Sequence, residues 1–130
     1  MTALSDYAEL KVLDLLFKNT AFTAPNAYLG LFTSAPNDTG GGTEVSGNGY
    51  ARVQIDDKMA SAASGAISSN ANITFPAASG GDFGTITHIG IFDASTSGNL
   101  LAHGALTASK IISDGDTMQI NSGSLTITID

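Results

Sequence analysis

A chain of 130 residues with 12 acidic against 5 basic side chains, a net charge of −7 and no cysteine is sized for one domain. At this length roughly two thirds of the unfolded surface can be buried, so the core needs no staple. The missing thiols exclude disulfides, thiolate metal sites and cysteine nucleophiles. The bases Lys11, Lys18, Arg52, Lys58 and Lys110 are scattered, which argues against nucleic acid or an anionic membrane surface as a partner, since both need clustered positive charge. The surplus of acid reads as solubility. The apolar cluster Val12 to Phe17 is interrupted by Asp14, far short of a membrane span, and no basic segment precedes it as in a signal peptide.

The N-terminal segment reads as a helix over about residues 5–18. Ser5 is the N-cap, Asp6 and Glu9 occupy the first turn where the helix dipole favours anions, Lys18 falls in the last turn, and Asn19 serves as the C-terminal cap. Tyr7, Leu10, Leu13 and Phe17 recur at three- and four-residue steps with Leu16 beside them. Leu10, Leu13, Leu16 and Phe17 are the expected core-facing set. Val12 and Leu15 widen the apolar arc beyond what one small domain buries, and are the expected contacts to a neighbouring protein.

Everything after Pro25 reads as strands and turns. "AYLGLFT" (27–33) is rich in β-formers, and "YARVQI" (50–55) alternates, with Ala51, Val53 and Ile55 on one face. "NITF" (72–75) stops at Pro76, "GTITHIGIFD" (84–93) is a long strand, and "LLAHGAL" (100–106) and "KII" (110–112) follow as two. "TMQI" (117–120) and "SLTITID" (124–130) close the chain, with Leu125, Ile127 and Ile129 facing inward. Glycine-centred turns stand between them at 78–82, 94–99, 113–116 and 121–123. Short strands at this spacing predict a mainly β fold: an antiparallel β-sandwich, jelly-roll-like or Ig-like, with one short N-terminal α-helix. The expected organisation is a single domain over 1–130, with the helix in 1–20 and the strands in 26–130. Loops 34–49 and 57–65 are low in bulky residues and expected to be mobile.

No constellation for catalysis stands out. "TGGGTEVSGNGYAR" (39–52) holds five of the fifteen glycines, but no lysine follows them, Glu44 would repel a phosphate, and a strand rather than a helix comes next. His88 and His103 lie within strands without a third ligand at metal-site spacing. "SDGDT" (113–117) opens like a calcium loop but lacks its downstream glutamate. No Gly-x-Ser-x-Gly elbow occurs, and Asp56 and Asp57 are adjacent, so in a strand they point apart. The expectation is no catalytic residue, no cofactor and no metal.

Four segments carry a resemblance to a family: "LSDYAELKVLDLLFKNTAFTAP", "AYLGLFTSAPNDTG…TEVSGNGYAR", "ITFPAASGGDFGTITHIGIFDASTSGNLLAHGAL" and "DGDTMQINSGSLTITID". In their order and spacing the chain resembles a family of small virion structural proteins of tailed bacteriophages, of head-decoration, cement, tail-fibre or minor-tail type. The segment 56–70 departs most from the family pattern. The resemblance implies a non-enzymatic subunit of the virion, assembled in the host bacterial cytoplasm. Its partners would be the major capsid protein or tail proteins, and it would form a homo-oligomer, with a trimer favoured. A capsid decoration or cement role comes first, and a tail, baseplate or fibre-adaptor role second. Val45, Tyr50 and Arg52, at the base of the glycine-rich stretch, join Val12 and Leu15 as expected protein–protein contacts. A carbohydrate-binding module is the rival of another class, opposed by the absence of tryptophan and the presence of only 3 tyrosines.

Overall fold

The computed structural model describes residues 2–129. Ten strands and one α-helix follow one another along the chain: β1 (Thr2–Leu4), α1 (Asp6–Phe17), β2 (Tyr28–Ser34), β3 (Thr43–Glu44), β4 (Val53–Gln54), β5 (Ala66–Ser68), β6 (Ile73–Thr74), β7 (Gly84–Phe92), β8 (Leu100–Ile112), β9 (Gln119–Ile120) and β10 (Thr126–Thr128). A single 3-10 turn, Asp56–Lys58, follows β4. Seven strands run side by side in the order β3-β2-β7-β8-β1-β10-β5, with β4 also on β2, while β6 and β9 form a separate two-stranded sheet. The large sheet is open rather than closed into a barrel, and the arrangement is sandwich-like. All pairings between strands are antiparallel except β1 with β10, where the first strand lies parallel to the last.

The core explains why these segments became strands. Leu29, Leu31, Ile86, Ile89, Ile91, Ala102 and Ile112 from the large sheet cluster with Ile73 of the small one and with Phe75 and Met118 that flank it, joined by Ile55, Phe83 and Leu125. At about 1.5–3 kcal/mol per fully buried large apolar side chain, this cluster is the main source of stability. Central β2 is buried on both faces, so its sequence is a continuous apolar run rather than an alternation.

Several details differ from the sequence expectation: β3 and β5 were not foreseen, and of the strand expected over 50–55 only Val53–Gln54 pairs. β1 was not foreseen: three residues carry no readable period, and they become a strand because β8 and β10 leave a slot that pairs them on both sides. "LLAHGAL" and "KII" are one strand, because from Ala105 to Lys110 β8 advances five residues while β7 advances two, and the surplus is absorbed as a bulge. Ile129, expected inward, is 56% exposed, whereas Leu125 is buried and Ile127 is half-buried against the core.

Candidate assembly surface

Helix α1 is fastened at its start and bare along one side. Ser5 is buried; its hydroxyl donates to the Leu100 carbonyl and accepts the Ala8 N–H at 3.2 Å, and its own N–H donates to Leu101 O at 2.9 Å. The N-cap thereby ties the first turn to the start of β8. The Asp6 N–H donates to Asp38 O at 3.1 Å, adding the 37–40 turn to the anchor. At the other end Lys18 is the C-cap rather than a last-turn residue, one position before the Asn19 that the sequence put there; the Lys18 and Thr20 N–H groups both donate to Asp14 O at 3.1 Å, and Asn19 follows at φ 54°.

The side of α1 that meets β8 and β1 carries Tyr7, Ala8, Lys11, Val12 and Asp14, all half-buried. No residue of the helix is fully buried. Leu10 is 63% exposed, Leu13 52%, Leu16 64% and Phe17 80%. These four were the expected core-facing set, so the apolar arc is turned the other way round. The reason lies at the anchor: pinning Ser5 to β8 fixes the rotation of the helix, and the residues that then face the sheet are the 7-8-11-12-14 set, with Lys11 packing its ammonium 5.5 Å from the Tyr7 ring. Val12 is therefore against the sheet, while Leu15, 45% exposed, lies at the margin.

The remaining three expected contacts converge elsewhere. Val45 is in the core, 7% exposed. Arg52 donates through Nε and Nη2 to the two oxygens of Glu44 at 2.8 and 2.7 Å, and through Nη1 to the Ala94 and Ser97 carbonyls at 2.9 and 2.8 Å. Its guanidinium lies 3.6 Å from the Phe92 ring centre, and its side chain is only 8% exposed. Tyr50 fills the gap on the β2 edge between β3 and β4, accepting the Leu31 N–H at 3.0 Å and donating to Glu44 at 2.8 Å. Its ring packs on Phe75 and Phe83. Burial raises the Tyr50 pKa; the bond from Leu31 N–H opposes this and the Glu44 carboxylate reinforces it. With their polar atoms engaged inside the protein, Tyr50 and Arg52 lock β2, β3 and the 94–97 turn together and leave little surface for a neighbour. Glu44 completes this cluster, and the sequence offered no signal for it, because its partnership with Arg52 depends on how the glycine-rich stretch folds back along β2.

That stretch is also well tied down. Asn37 and Gly40 bond each other through their backbones, Val45 N–H donates to Leu31 O at 2.9 Å, and the Asn48 side chain donates to Asp82 O at 3.0 Å. Gly42, at φ 71°, lets the chain pass so close to Ser34–Pro36 that a Cβ would lie 2.7 Å from Pro36 N.

His88 Nδ1 is 2.8 Å from Thr87 Oγ1, and His103 Nε2 is 2.7 Å from Asp38 Oδ1. Among the described residues no group of three His, Asp or Glu is placed to hold a metal ion, and no helix is long and apolar enough to cross a membrane. A groove of about 470 Å³ runs between the β8 bulge and the β9–β10 segment, and Lys110 is its one titratable lining residue. A smaller groove of about 250 Å³ lies beside the helix anchor, lined by Asp6, Asp38, Phe92 and Asn99 among others.

Comparison with known proteins adds the family. No curated protein matches the chain. A family model described as Podophage GP4 fiber I protein gp80 matches residues 3–128, a span that takes in α1, its exposed face, every strand from β2 to β10 and the Glu44–Arg52 cluster. The chain thus belongs to the Podophage GP4 fiber I protein gp80 family, a family of small virion structural proteins of tailed phages.

Proposed function

We propose that this protein is a non-catalytic building block of a phage fibre, held in the virion by protein–protein contacts made through the outer face of α1. The observation that carries the reading is the row Leu10, Leu13, Leu16 and Phe17, each more than half exposed and all on one helix, whereas Ile111 and Ile129 are exposed singly on strands or beyond them. Isolated apolar side chains on a surface are ordinary, but a contiguous apolar face marks an interaction site. The sheet edges point the same way. The large sheet ends in β3, two residues long, and β5, three residues long, and edges so short discourage association by strand addition. The helix is then the most adhesive surface on the molecule. The fibre reading takes its support from the family description, which names a fibre protein; the sequence had put a head-decoration subunit first. A sugar-binding module fits less well, because Phe17 is the one aromatic among the exposed large apolar side chains and it sits on a leucine-lined helix rather than a flat platform.

The test is incorporation. A phage carrying Leu13→Asp with Phe17→Asp makes a subunit whose core is untouched, so the subunit folds but is missing from purified particles. Recovery of the folded double variant in virions at the wild-type level would refute an assembly role for this face.

A further inference from the structure

We propose that the groove between β8 and β10 takes an extended, acid-bearing peptide segment of a different virion protein, added to the large sheet as a strand in line with β1. This surface is separate from α1 and shares with the assembly reading only its setting in the virion.

The registers place the strand. β1 lies between β8 and β10 and fills three places: Leu4, Ala3 and Thr2 face Ala102, His103 and Gly104 on β8, and Thr2 faces Ile127 on β10. Past Gly104, β8 runs on to Ile112. Counting back from Thr2, successive places come opposite Ala105, Leu106 and onward along β8, and opposite Thr126, Leu125 and Ser124 on the other side. Those residues stand in the two walls of the groove of about 470 Å³. The groove is therefore the continuation of the slot that holds β1. The first place is left to Met1, which lies outside the described residues, so the partner strand takes the places opposite Leu106 to Lys110. About five places at ~3.4 Å each make roughly 17 Å of strand, an ordinary length.

The backbone is laid open for it. Among the described residues, Leu106 to Ser109 have no partner residue on β7, and no strand flanks β8 on its other side beyond Gly104. An extended peptide offers its own N–H and C=O groups in a regular row, which is recognition by strand addition. Running antiparallel to β8, as β1 does, gives the stronger ladder. The outer edges β3 and β5 are too short for such pairing, whereas this slot has protein on both sides.

The lining selects the side chains. Ile89, Met118 and Leu125 at the floor belong to the core, and Leu106 and Ile120 are half-buried beside them. Alternate residues of a strand point to one face, so the floor selects an apolar residue at every second place. Lys110 stands at the far end as the groove's one charged residue. It is exposed and has no acid within ion-pair distance among the described residues, whereas Arg52 and Lys58 already pair with Glu44 and Asp57. In a chain of net charge −7, an unpaired base at the end of a neutral groove is complementary to a carboxylate on the incoming strand.

Zero-length carbodiimide coupling joins an ammonium to a carboxylate in contact with it and needs no variant. In wild-type virions it should link Lys110 to an Asp or Glu of a different virion protein, read by mass spectrometry of the digest. The photoreactive residue p-benzoylphenylalanine, placed in turn at Thr107 and at Ser109, should mark partner residues two apart, the second nearer the partner's N-terminus. The chain has no cysteine, so Thr107→Cys reports cover directly: maleimide should label it at least about 10-fold more slowly in intact virions than in the free folded subunit. Equal labelling in the two states would overturn the proposal. So would a Lys110 that fails to couple or couples only within copies of this chain, and so would marks from 107 and 109 that keep no two-residue step. Lys110 coupling reads the groove whatever covers α1, so the two surfaces stand or fall separately.

Discussion

Replacing Arg52 by alanine probes the cluster that holds β2, β3 and the 94–97 turn in place. Four hydrogen bonds and a ring contact are at stake: two bonds to Glu44, one of which is also the ion pair, two to the carbonyls of Ala94 and Ser97, and the stack on Phe92. Truncation leaves the Glu44 carboxylate, whose side chain is only 23% exposed, with the Tyr50 hydroxyl as its remaining partner. Removing one member of a buried pair costs about 3–5 kcal/mol, mostly through the charge left behind. Because Glu44 retains some access to water, the lower end, about 3 kcal/mol, is expected. For a domain of this size that is a fall in Tm of roughly 10–15 °C. Lys58 is the control, since its partner Asp57, 3.0 Å away, is 70% exposed, and Lys58→Ala should change stability by about 0–1 kcal/mol. Urea unfolding of both variants, followed by circular dichroism, measures the difference. Combining Arg52→Met with Glu44→Gln should recover part of the loss by removing both charges. If Arg52→Ala costs no more than Lys58→Ala, the cluster is not a structural lock, and Arg52 must be reconsidered as a contact to another protein.

Other consequences concern Tyr50 and the glycine-rich stretch. Because the fold favours the neutral Tyr50 phenol and raises its pKa, its contribution is complete below about pH 10, where the unfolded phenol ionises, and is lost as pH climbs from there towards the higher folded value. Tyr50→Phe should flatten that alkaline decline in a pH series of urea melts. At neutral pH the same variant should cost about 1–2 kcal/mol, since the Leu31 N–H loses its acceptor. Gly42→Ala should destabilise by more than about 2 kcal/mol, combining a left-handed backbone with a clash against Pro36. Gly47→Ala, at φ 73° with open space around it, should cost only the backbone term, about 1–2 kcal/mol; equal losses in thermal melts would mean the 34–42 turn yields freely. Isothermal titration of the protein with nucleotide or inorganic phosphate should give no heat of binding, and saturable binding would reinstate the phosphate reading of residues 39–52.

Period and punctuation made much of the fold readable. Ser5, Asp6 and Asn19 bracket α1 because caps act through neighbours a few residues away, and those neighbours are visible in the sequence. β7 was readable for the same reason, with Gly84 opening it and a turn after. What escaped the sequence depends on distant partners. Thr2–Leu4 becomes a strand only because β8 and β10 flank it, and the 105–110 bulge exists only relative to β7. The helix shows the limit most sharply. Its wide apolar arc is legible in the sequence, but periodicity has no sign: it shows that a face exists, not which way it turns. The tether from Ser5 to Leu100 and Leu101 settles that, and it links residues 95 or more apart. Likewise Tyr50 and Arg52 were expected as contacts to another protein, whereas their partners Glu44, Leu31 and Phe92 lie within the chain and are brought together by folding alone.

A reconstruction of the intact phage particle at a resolution that shows side chains bears most directly on the claim that this is a structural subunit attached through α1. The account predicts density for this domain in a fibre, with Leu10, Leu13, Leu16 and Phe17 buried against a protein neighbour. Density in which the domain is bound through another surface, with those four side chains open to solvent, would contradict it, as would a particle that lacks the protein altogether.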